Sequence, residues 1–143
     1  MDIRLIDIES PEYEVMKQLR WDVLLNPIGI PATYINREKE KTDLLLGAFD
    51  GGLLIGCCVL TPLDNELIQL RQMAVKPEQQ GKGIGAAIVT FAENVAREKD
   101  FKRLMMYARD VVIPFYQKSG YMITGDQFTE VGIDHHRMEK SLV

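Results

Sequence analysis

The chain carries, between residues 70 and 86, the stretch Leu70-Arg71-Gln72-Met73-Ala74-Val75-Lys76-Pro77-Glu78-Gln79-Gln80-Gly81-Lys82-Gly83-Ile84-Gly85-Ala86. An apolar, strand-like run stops at a proline, and a polar turn then places three glycines within five residues at the start of an amphipathic helix. A glycine inside a helix costs about 0.8–1.0 kcal/mol relative to alanine, so glycines in a first helical turn need a reason. Without Cβ atoms, the backbone amides of residues 81–86 can approach a large anion at the positive end of the helix dipole. The stretch therefore predicts a phosphate-binding loop between a strand and a helix.

Two other kinds of glycine-rich loop bind nucleotides, and residues 81–85 fit neither. A P-loop needs Ser or Thr directly after Gly-Lys, whereas Gly83 follows Gly81-Lys82 here. A dinucleotide-binding fold needs Gly-x-Gly-x-x-Gly within a repeated βαβ pattern, whereas the spacing here is Gly-x-Gly-x-Gly. A purely structural alternative stays open, in which the glycines only let a helix pack tightly on a sheet.

Two motifs together carry a family resemblance. Gln80-x-x-Gly83-x-Gly85 resembles the pyrophosphate-binding signature of the GNAT superfamily of acyl-CoA-dependent N-acyltransferases. The later segment 113–121, Ile-Pro-Phe-Tyr-Gln-Lys-Ser-Gly-Tyr, is similar to that superfamily's Phe-Tyr-x-Lys-x-Gly-Phe segment, in the expected order and at the expected separation. The resemblance is close over residues 66–124. The tail 128–138 is similar to the Gly-Ile-Pro-His ending of the ElaA-like branch, with Asp134 where proline is usual.

Hydrophobic periodicity predicts an ordered α/β series without repeats. Strands are expected over residues 3–7, 44–49, 53–60, 67–75, 104–107, 121–124 and 135–140. Helices are expected from Ser10-Pro11 to Asn26, over a short polar piece at 34–41, from Ile84 onward, and over 111–119. This order agrees with what the resemblance implies: an α/β, GNAT-like, mixed and V-splayed sheet of about six to seven strands, flanked by about four helices, with the cofactor in the splay.

Length and charge limit the function further. At 143 residues with 46% hydrophobic residues, the chain is expected to form a single domain over residues 1–143. The net charge of −4 argues against a nucleic-acid or anionic-membrane partner, since both need a basic surface. The N-terminus has no leader-like pattern and no apolar run approaches a membrane span, so a cytoplasmic location is expected. Adjacent Cys57 and Cys58 are expected to point to opposite faces of a strand as free thiols, and no metal site is expected.

The resemblance implies acetyl-CoA (coenzyme A) as co-substrate and assigns residues to it. Backbone groups of Met73, Ala74 and Val75 would bind the pantetheine arm and the thioester oxygen like an additional strand. The pyrophosphate would lie on a loop formed by Gln80, Gly81, Lys82, Gly83, Ile84, Gly85 and Ala86. Arg109 stands seven residues before Tyr116, where many family members have an asparagine that binds pantetheine, so this cofactor contact rests on a different side chain.

The catalytic candidates follow from the chemistry of amide formation. Tyr116 is the expected general acid for the leaving thiolate, because a phenol is a neutral proton donor at pH 7. The alternative is that Tyr116 only packs the helix on the sheet. The general base has three candidates, Glu66, Glu130 and His135, and a water chain could replace them. His136 should face the opposite side of its strand and is the weaker histidine.

The predicted function is transfer of an acetyl group from acetyl-CoA to a primary amine of an unidentified small molecule or peptide, by direct attack in a ternary complex. The alternative is a catalytically silent acyl-CoA-binding sensor or interaction module. The acceptor pocket is expected between residues 20–34 and 126–134. Its expected apolar side chains are those of Trp21, Tyr34 and Phe128, and its expected acidic side chains are those of Asp22, Glu38 and Glu130. The sequence leaves a homodimer open.

Overall fold

A computed structural model describes residues 1–143 as three helices around one eight-stranded mixed sheet. The strands are β1 (Asp2–Ile6), β2 (Leu44–Asp50), β3 (Leu53–Pro62), β4 (Leu67–Val75), β5 (Arg103–Arg109), β6 (Met122–Ile123), β7 (Phe128–Glu130) and β8 (Ile133–Ser141). The helices are α1 (Pro11–Arg20), α2 (Ile84–Glu98) and α3 (Ile113–Lys118). The strand order is β1-β2-β3-β4-β5-β8-β6, and β7 pairs with β8.

The first four strands form an antiparallel half-sheet. The predicted hairpin between β2 and β3 is confirmed, since Gly51 and Gly52 turn the chain with φ of +57° and +81°. Those left-handed values are easily reached only by glycine, which explains why Asp-Gly-Gly stops one strand and starts the next.

The sheet opens between β4 and β5. These strands run parallel, but they pair only at Leu67–Arg103, Ile68–Leu104 and Gln69–Met105. Beyond Gln69 the two strands diverge, while β5 continues along β8 up to the pair Arg109–His135. The splay predicted from the family resemblance is thus present, and it leaves the second half of β4 without a partner on that side.

Two apolar cores lie on opposite faces of the sheet. One core packs α1 against the first strands and includes Tyr13, Met16 and Cys57. The other packs α2 and α3 and includes Ile88, Tyr116 and Cys58. The two cysteines are therefore buried on opposite faces as free thiols, as predicted. None of the helices is both long and apolar enough to cross a membrane.

The structure corrects some element predictions. Residues 34–41 do not form one helix but end one 3₁₀ turn and contain another, Glu38–Glu40, so the chain has three α-helices rather than about four. The extra strand is β7, which forms a hairpin with β8 through Val131 and Gly132, at φ of +47° and +73°. A three-residue strand is too short to show a period of two in the sequence.

Candidate active site

A cavity of about 610 Å³ lies in the splay between β4 and β5. Its walls come from the second half of β4, the end of β5, the segment 24–34 after α1, the start of α3, and the β7–β8 hairpin. Six residues singled out in the sequence line it together: Tyr34, Met73, Arg109, Tyr116, Glu130 and His135. The topology thus gathers residues from five separate stretches of the chain at one opening.

A β-bulge shapes the β4 side of this cavity. Cys57 pairs with Ala74 and Val59 pairs with Arg71, so Gln72 and Met73 both lie opposite the single residue Cys58. Gln72 has φ of +49°, which is rare for a residue with a side chain. Such a conformation persists only where the surroundings hold it, and here Arg20 donates from Nε to Gln72 Oε1 at 2.6 Å.

Arg20 belongs to a buried ion pair that joins α1 to the chain before β2. Its Nη1 and Nη2 atoms donate to Glu40 Oε1 and Oε2 at 2.9 and 2.5 Å, and Tyr13 donates its hydroxyl to Glu40 Oε1 at 2.8 Å. The Arg20 side chain is 0% exposed. Burial alone would raise the pKa of Glu40, but the hydrogen bonds and charge of Arg20 hold that pKa below its ordinary value. The bulge is therefore anchored by a fully satisfied polar network.

The start of α2 presents free backbone donors, as the glycine pattern predicts. Gly83 is the residue before the helix, with φ of +81°, and no side chain caps the helix. The amide groups of residues 81–86 donate no hydrogen bond within the protein. Gly85 is a glycine for a separate reason, because a Cβ at this position would lie 3.2 Å from Phe115 Cζ. Close packing and an anion-accessible helix start thus coexist in one loop.

Two side chains of this loop have hydrogen-bond partners within the protein. Gln80 donates from Nε2 to the Val75 carbonyl at 3.0 Å, so one backbone group predicted for pantetheine already has a partner. Lys82 Nζ lies 3.4 Å from Gln79 Oε1 on the exposed surface of the loop. Gln80 accordingly fixes the geometry of the turn at the end of β4.

Tyr116 lies on α3 with its ring in the core that packs α2 and its edge at the cavity. The residue is 5% exposed, and its hydroxyl makes no hydrogen bond to another protein group, although the ring contacts Phe115 and Tyr121 edge-on at 5.0 and 5.9 Å between centroids. Burial, with the nearby Cys58 thiol, raises the pKa of Tyr116 above its ordinary value. A neutral phenol with an unused proton therefore lies at the cavity.

The two histidines of β8 point to different surroundings, as their adjacent positions predict. His135 lines the cavity, stacks on Phe128 at 5.3 Å between ring centroids, and has Nδ1 2.8 Å from the Ile133 carbonyl. Because a carbonyl can only accept, Nδ1 carries a hydrogen and Nε2 of the neutral ring is left as an acceptor. His136 instead has Nδ1 2.7 Å from Asp110 Oδ1, and this contact holds the pKa of Asp110 below its ordinary value.

Glu66 does not reach the cavity. It is exposed immediately before β4, at the end where β4 and β5 still pair, and its backbone carbonyl accepts from the amides of Lys102 and Arg103 at 2.8 and 3.0 Å. About seven residues of extended chain, roughly 23 Å, separate it from Met73. Of the three candidate bases, the structure brings Glu130 and His135 to the cavity and leaves Glu66 outside.

The acceptor-side wall differs in detail from the expected one. Trp21 does not line the cavity, because its indole Nε1 donates to the Ile30 carbonyl at 3.1 Å and holds the following turns. The apolar surface comes from Leu24, Leu25, Ile28 and Ile30, together with the predicted Tyr34. Phe128, also expected to line the pocket, does not do so but stacks on His135, which does. Asp22 and Glu38 are exposed and do not line the cavity.

Known proteins share this sequence pattern. Residues 25–142 match the family model described as acetyltransferase (GNAT) domain. The chain belongs to this family. A spermidine N(1)-acetyltransferase from Thermoplasma acidophilum is 31% identical to this GNAT chain over 93 residues, which cover 62% of the chain and 57% of that protein. The chain spans about half the length of the curated relatives it matches.

Solved structures show the same GNAT fold. A putative N-acetyltransferase from Lactobacillus plantarum superposes with a TM-score of 0.86 at 21% identity, covering 100% of both chains. A GNAT family acetyltransferase from Elizabethkingia anophelis with acetyl-CoA bound gives a TM-score of 0.77 at 22% identity, covering 98% of this chain and 97% of that one. The fold class predicted from the sequence is confirmed.

Proposed function

We propose that this GNAT chain transfers an acetyl group from acetyl-CoA to a primary amine by direct attack within a ternary complex. The observation that supports this most directly is that one cavity is lined both by Tyr116, whose hydroxyl has no hydrogen-bond partner in the protein, and by His135. One group can supply a proton and the other can accept one, which is what acyl transfer to an amine requires. The family match and a relative named as an acetyltransferase of spermidine support the same reaction class.

The residues present fit coenzyme A. Six consecutive amides without protein partners, at residues 81–86, offer a pyrophosphate the donors that a helix N-terminus provides. The diverging edge of β4, with Met73 in the bulge and Ala74 directly after it, offers backbone groups to an extended pantetheine chain. When bound, acetyl-CoA supplies an activated thioester. Val75 and Gln80 shape the end of this edge by their mutual hydrogen bond.

Tyr116 acts as the general acid in this proposal. Its pKa is raised by burial, so its phenol stays protonated at neutral pH and can give its proton to the departing sulfur. No protein acceptor competes for that proton, unlike the hydroxyl of Tyr121, which donates to Glu93 Oε2 at 2.9 Å. The contrast favours a functional reading of Tyr116 over a purely packing one.

His135 acts as the general base. The Ile133 carbonyl holds Nδ1–H, and stacking on Phe128 fixes the plane of the ring, so Nε2 keeps its lone pair for the proton of the amine. Glu130 is exposed at the same cavity, and its negative charge attracts the ammonium form of the acceptor before that ammonium loses its proton.

Acetyl transfer to a panel of primary amines tests the proposal, with release of the CoA thiol as the measurement. We expect turnover of at least one amine, with one acetylated product formed for each thiol released. Tight binding of acetyl-CoA without turnover of any amine would contradict the proposal and favour the silent binding module. Thiol release without an acetylated product would indicate thioester hydrolysis instead.

A further inference from the structure

We infer that the acceptor is a small amino acid, in which a carboxylate lies one or two carbons from the reacting amine, and that Arg109 binds this carboxylate. The inference rests on the proposed acetyl transfer and names the class of molecule that receives the acetyl group. It comes from the position of one arginine and from the charges that line the cavity.

The first observation is that Arg109 lacks an acidic partner. Its guanidinium lines the cavity, the residue is only partly exposed, and it takes part in no ion pair. Its one hydrogen bond runs from Nη2 to the Leu24 carbonyl, at a long 3.4 Å. A guanidinium has five donors in a planar fork that matches a carboxylate, so most of its hydrogen-bonding capacity stays unused. By contrast Arg71, the other arginine at this cavity, has Asp43 Oδ2 at 3.6 Å and Thr61 Oγ1 at 3.2 Å.

The second observation is the side of the sheet on which Arg109 lies. Its neighbour Ala108 belongs to the core that packs α2, whereas Arg109 contacts Leu24 in the segment after α1. Arg109 is therefore on the face opposite the helix whose N-terminus offers amides to a pyrophosphate. That placement favours a role toward the acceptor over the cofactor role predicted from the sequence.

The third observation sets the size of the acceptor. Arg109 and His135 are direct register partners on β5 and β8. Side chains of directly opposed residues lie on the same face, with Cβ atoms about 4.5–5.5 Å apart. This proximity lets an amine held near His135 and an anion held near Arg109 be separated by only a few atoms, as in an α- or β-amino acid.

The remaining lining matches such a molecule. Glu130 is the one carboxylate that lines the cavity, and Arg109 is its one arginine without an acidic partner, so these two side chains offer one positive and one negative charge to a zwitterion. Leu24, Ile28 and Ile30 offer an apolar surface to its side chain. A polycation such as spermidine would find only one of its charges matched and would be repelled by Arg109.

The test compares acceptors that differ only in the carboxylate. Alanine, leucine and phenylalanine are each assayed beside the corresponding amide and the decarboxylated amine, with spermidine as a cationic acceptor, at saturating acetyl-CoA. Charge-assisted hydrogen bonds contribute enough that we expect kcat/KM to be roughly 10- to 100-fold higher for the amino acid than for its amide. Arg109→Gln should abolish this preference by raising KM for the amino acid. Arg103→Gln, on the same strand but outside the cavity, should keep it.

The outcomes distinguish a failure of the acceptor class from a failure of acetyl transfer. Turnover of spermidine or the amides at or above that of the amino acids overturns the acceptor class and leaves acetyl transfer standing. Arg109→Gln could instead change the calorimetric Kd of acetyl-CoA and leave the amino-acid preference unchanged. That result would assign Arg109 to cofactor binding and also overturn the inference. Absence of turnover with all acceptors overturns both proposals.

Discussion

At the scale of single residues, two tyrosines whose rings lie 5.9 Å apart have different surroundings. Tyr116→Phe keeps the ring and removes only the unbonded hydroxyl. General acid catalysis contributes about 10²- to 10⁴-fold, so we expect kcat to fall by that factor while the Kd of acetyl-CoA changes little. Steady-state thiol release and calorimetry measure the two quantities.

Tyr121→Phe is the matched control for this substitution. It removes the donor to the buried Glu93 and should lower the free energy of unfolding by about 1–3 kcal/mol, with kcat of the folded protein preserved. A Tyr116→Phe variant with the kcat of the wild type would contradict the general-acid role of Tyr116.

The neighbouring histidines offer a second matched pair. His135→Gln should lower kcat/KM by about 10²-fold or more, because the lone pair at Nε2 is lost from the cavity. The residual rate should keep rising with pH, since only the already neutral fraction of the amine then reacts. His136→Gln breaks the contact with Asp110 at 2.7 Å and should leave kcat/KM close to that of the wild type. Equal effects of both substitutions would argue against His135 as the base.

At the scale of elements, the start of α2 can be tested by a branched side chain. Gly83→Val places methyl groups among the amides predicted to bind pyrophosphate, so the Kd of acetyl-CoA should rise sharply. Valine at φ of +81° also strains the backbone, and Gly52 in the β2–β3 turn has the same φ and equally open surroundings. Gly52→Val should therefore cost similar stability and leave the Kd unchanged. Similar affinities for the two folded variants would remove the phosphate-binding interpretation.

The ion pair that joins α1 to the chain before β2 predicts a non-additive loss of stability. Arg20→Met leaves the Glu40 carboxylate buried without its cationic partner and should cost about 3–5 kcal/mol in the free energy of unfolding. The double variant Arg20→Met and Glu40→Met removes both charges and should be less destabilised than Arg20→Met alone. Urea unfolding of the three proteins measures this, and simple additivity would contradict it.

The elements that the sequence predicted best are those whose patterns are local. The β2–β3 hairpin, β4 and the start of α2 are each indicated by turn residues or by hydrophobic periodicity. All three occur within a residue or two of the predicted bounds. By contrast, β7 is three residues long and exists only through its pairing with β8. Short turns likewise replace the helix expected at residues 34–41. The course of the chain after α1 is set by contacts such as the one from Trp21 to Ile30, which no local pattern reveals.

At the scale of the whole molecule, buried acids predict a loss of stability at high pH. Burial raises the pKa of Cys57 to about 12, and it also raises the pKa of Cys58, Tyr13, Tyr116 and Tyr121. A raised folded-state pKa stabilises the protein below the unfolded pKa, and this contribution is lost as pH rises toward the folded value. We expect the free energy of unfolding to fall above pH ~9 for the thiols and above pH ~10 for the phenols.

Urea unfolding between pH 7 and 11 in the presence of a reductant measures this decline. Each group of this kind removes about 1.4 kcal/mol per pH unit in its window. The double variant Cys57→Ala and Cys58→Ala should flatten the curve between pH 9 and 10 and keep the steeper fall above it. A stability that is constant up to pH 11 would contradict the burial of these groups.

The candidate site was predictable only in part. Tyr116, His135 and the loop at 81–86 stand in recognisable motifs, so the sequence singled them out as candidates. Arg20 and Glu40 were not singled out in the sequence, since Arg20 contacts Glu40 and Gln72, which lie 20 and 52 positions away along the chain. Glu66 looked equally suited to catalysis, and only the direction of the splay excludes it from the cavity.

The pair formed by Arg20 and Glu40 also closes a loop. It ties together the two ends of the segment 21–39, which contains the apolar wall of the acceptor cavity. Since the entropic cost of loop closure grows only slowly with loop length, sequence and length between two fixed ends can vary at little thermodynamic cost. The segment 21–39 can thus be exchanged as a unit. We expect its replacement by the corresponding segment of a relative to alter the choice of acceptor, while the bulge, the second half of β4 and Tyr116 keep their positions.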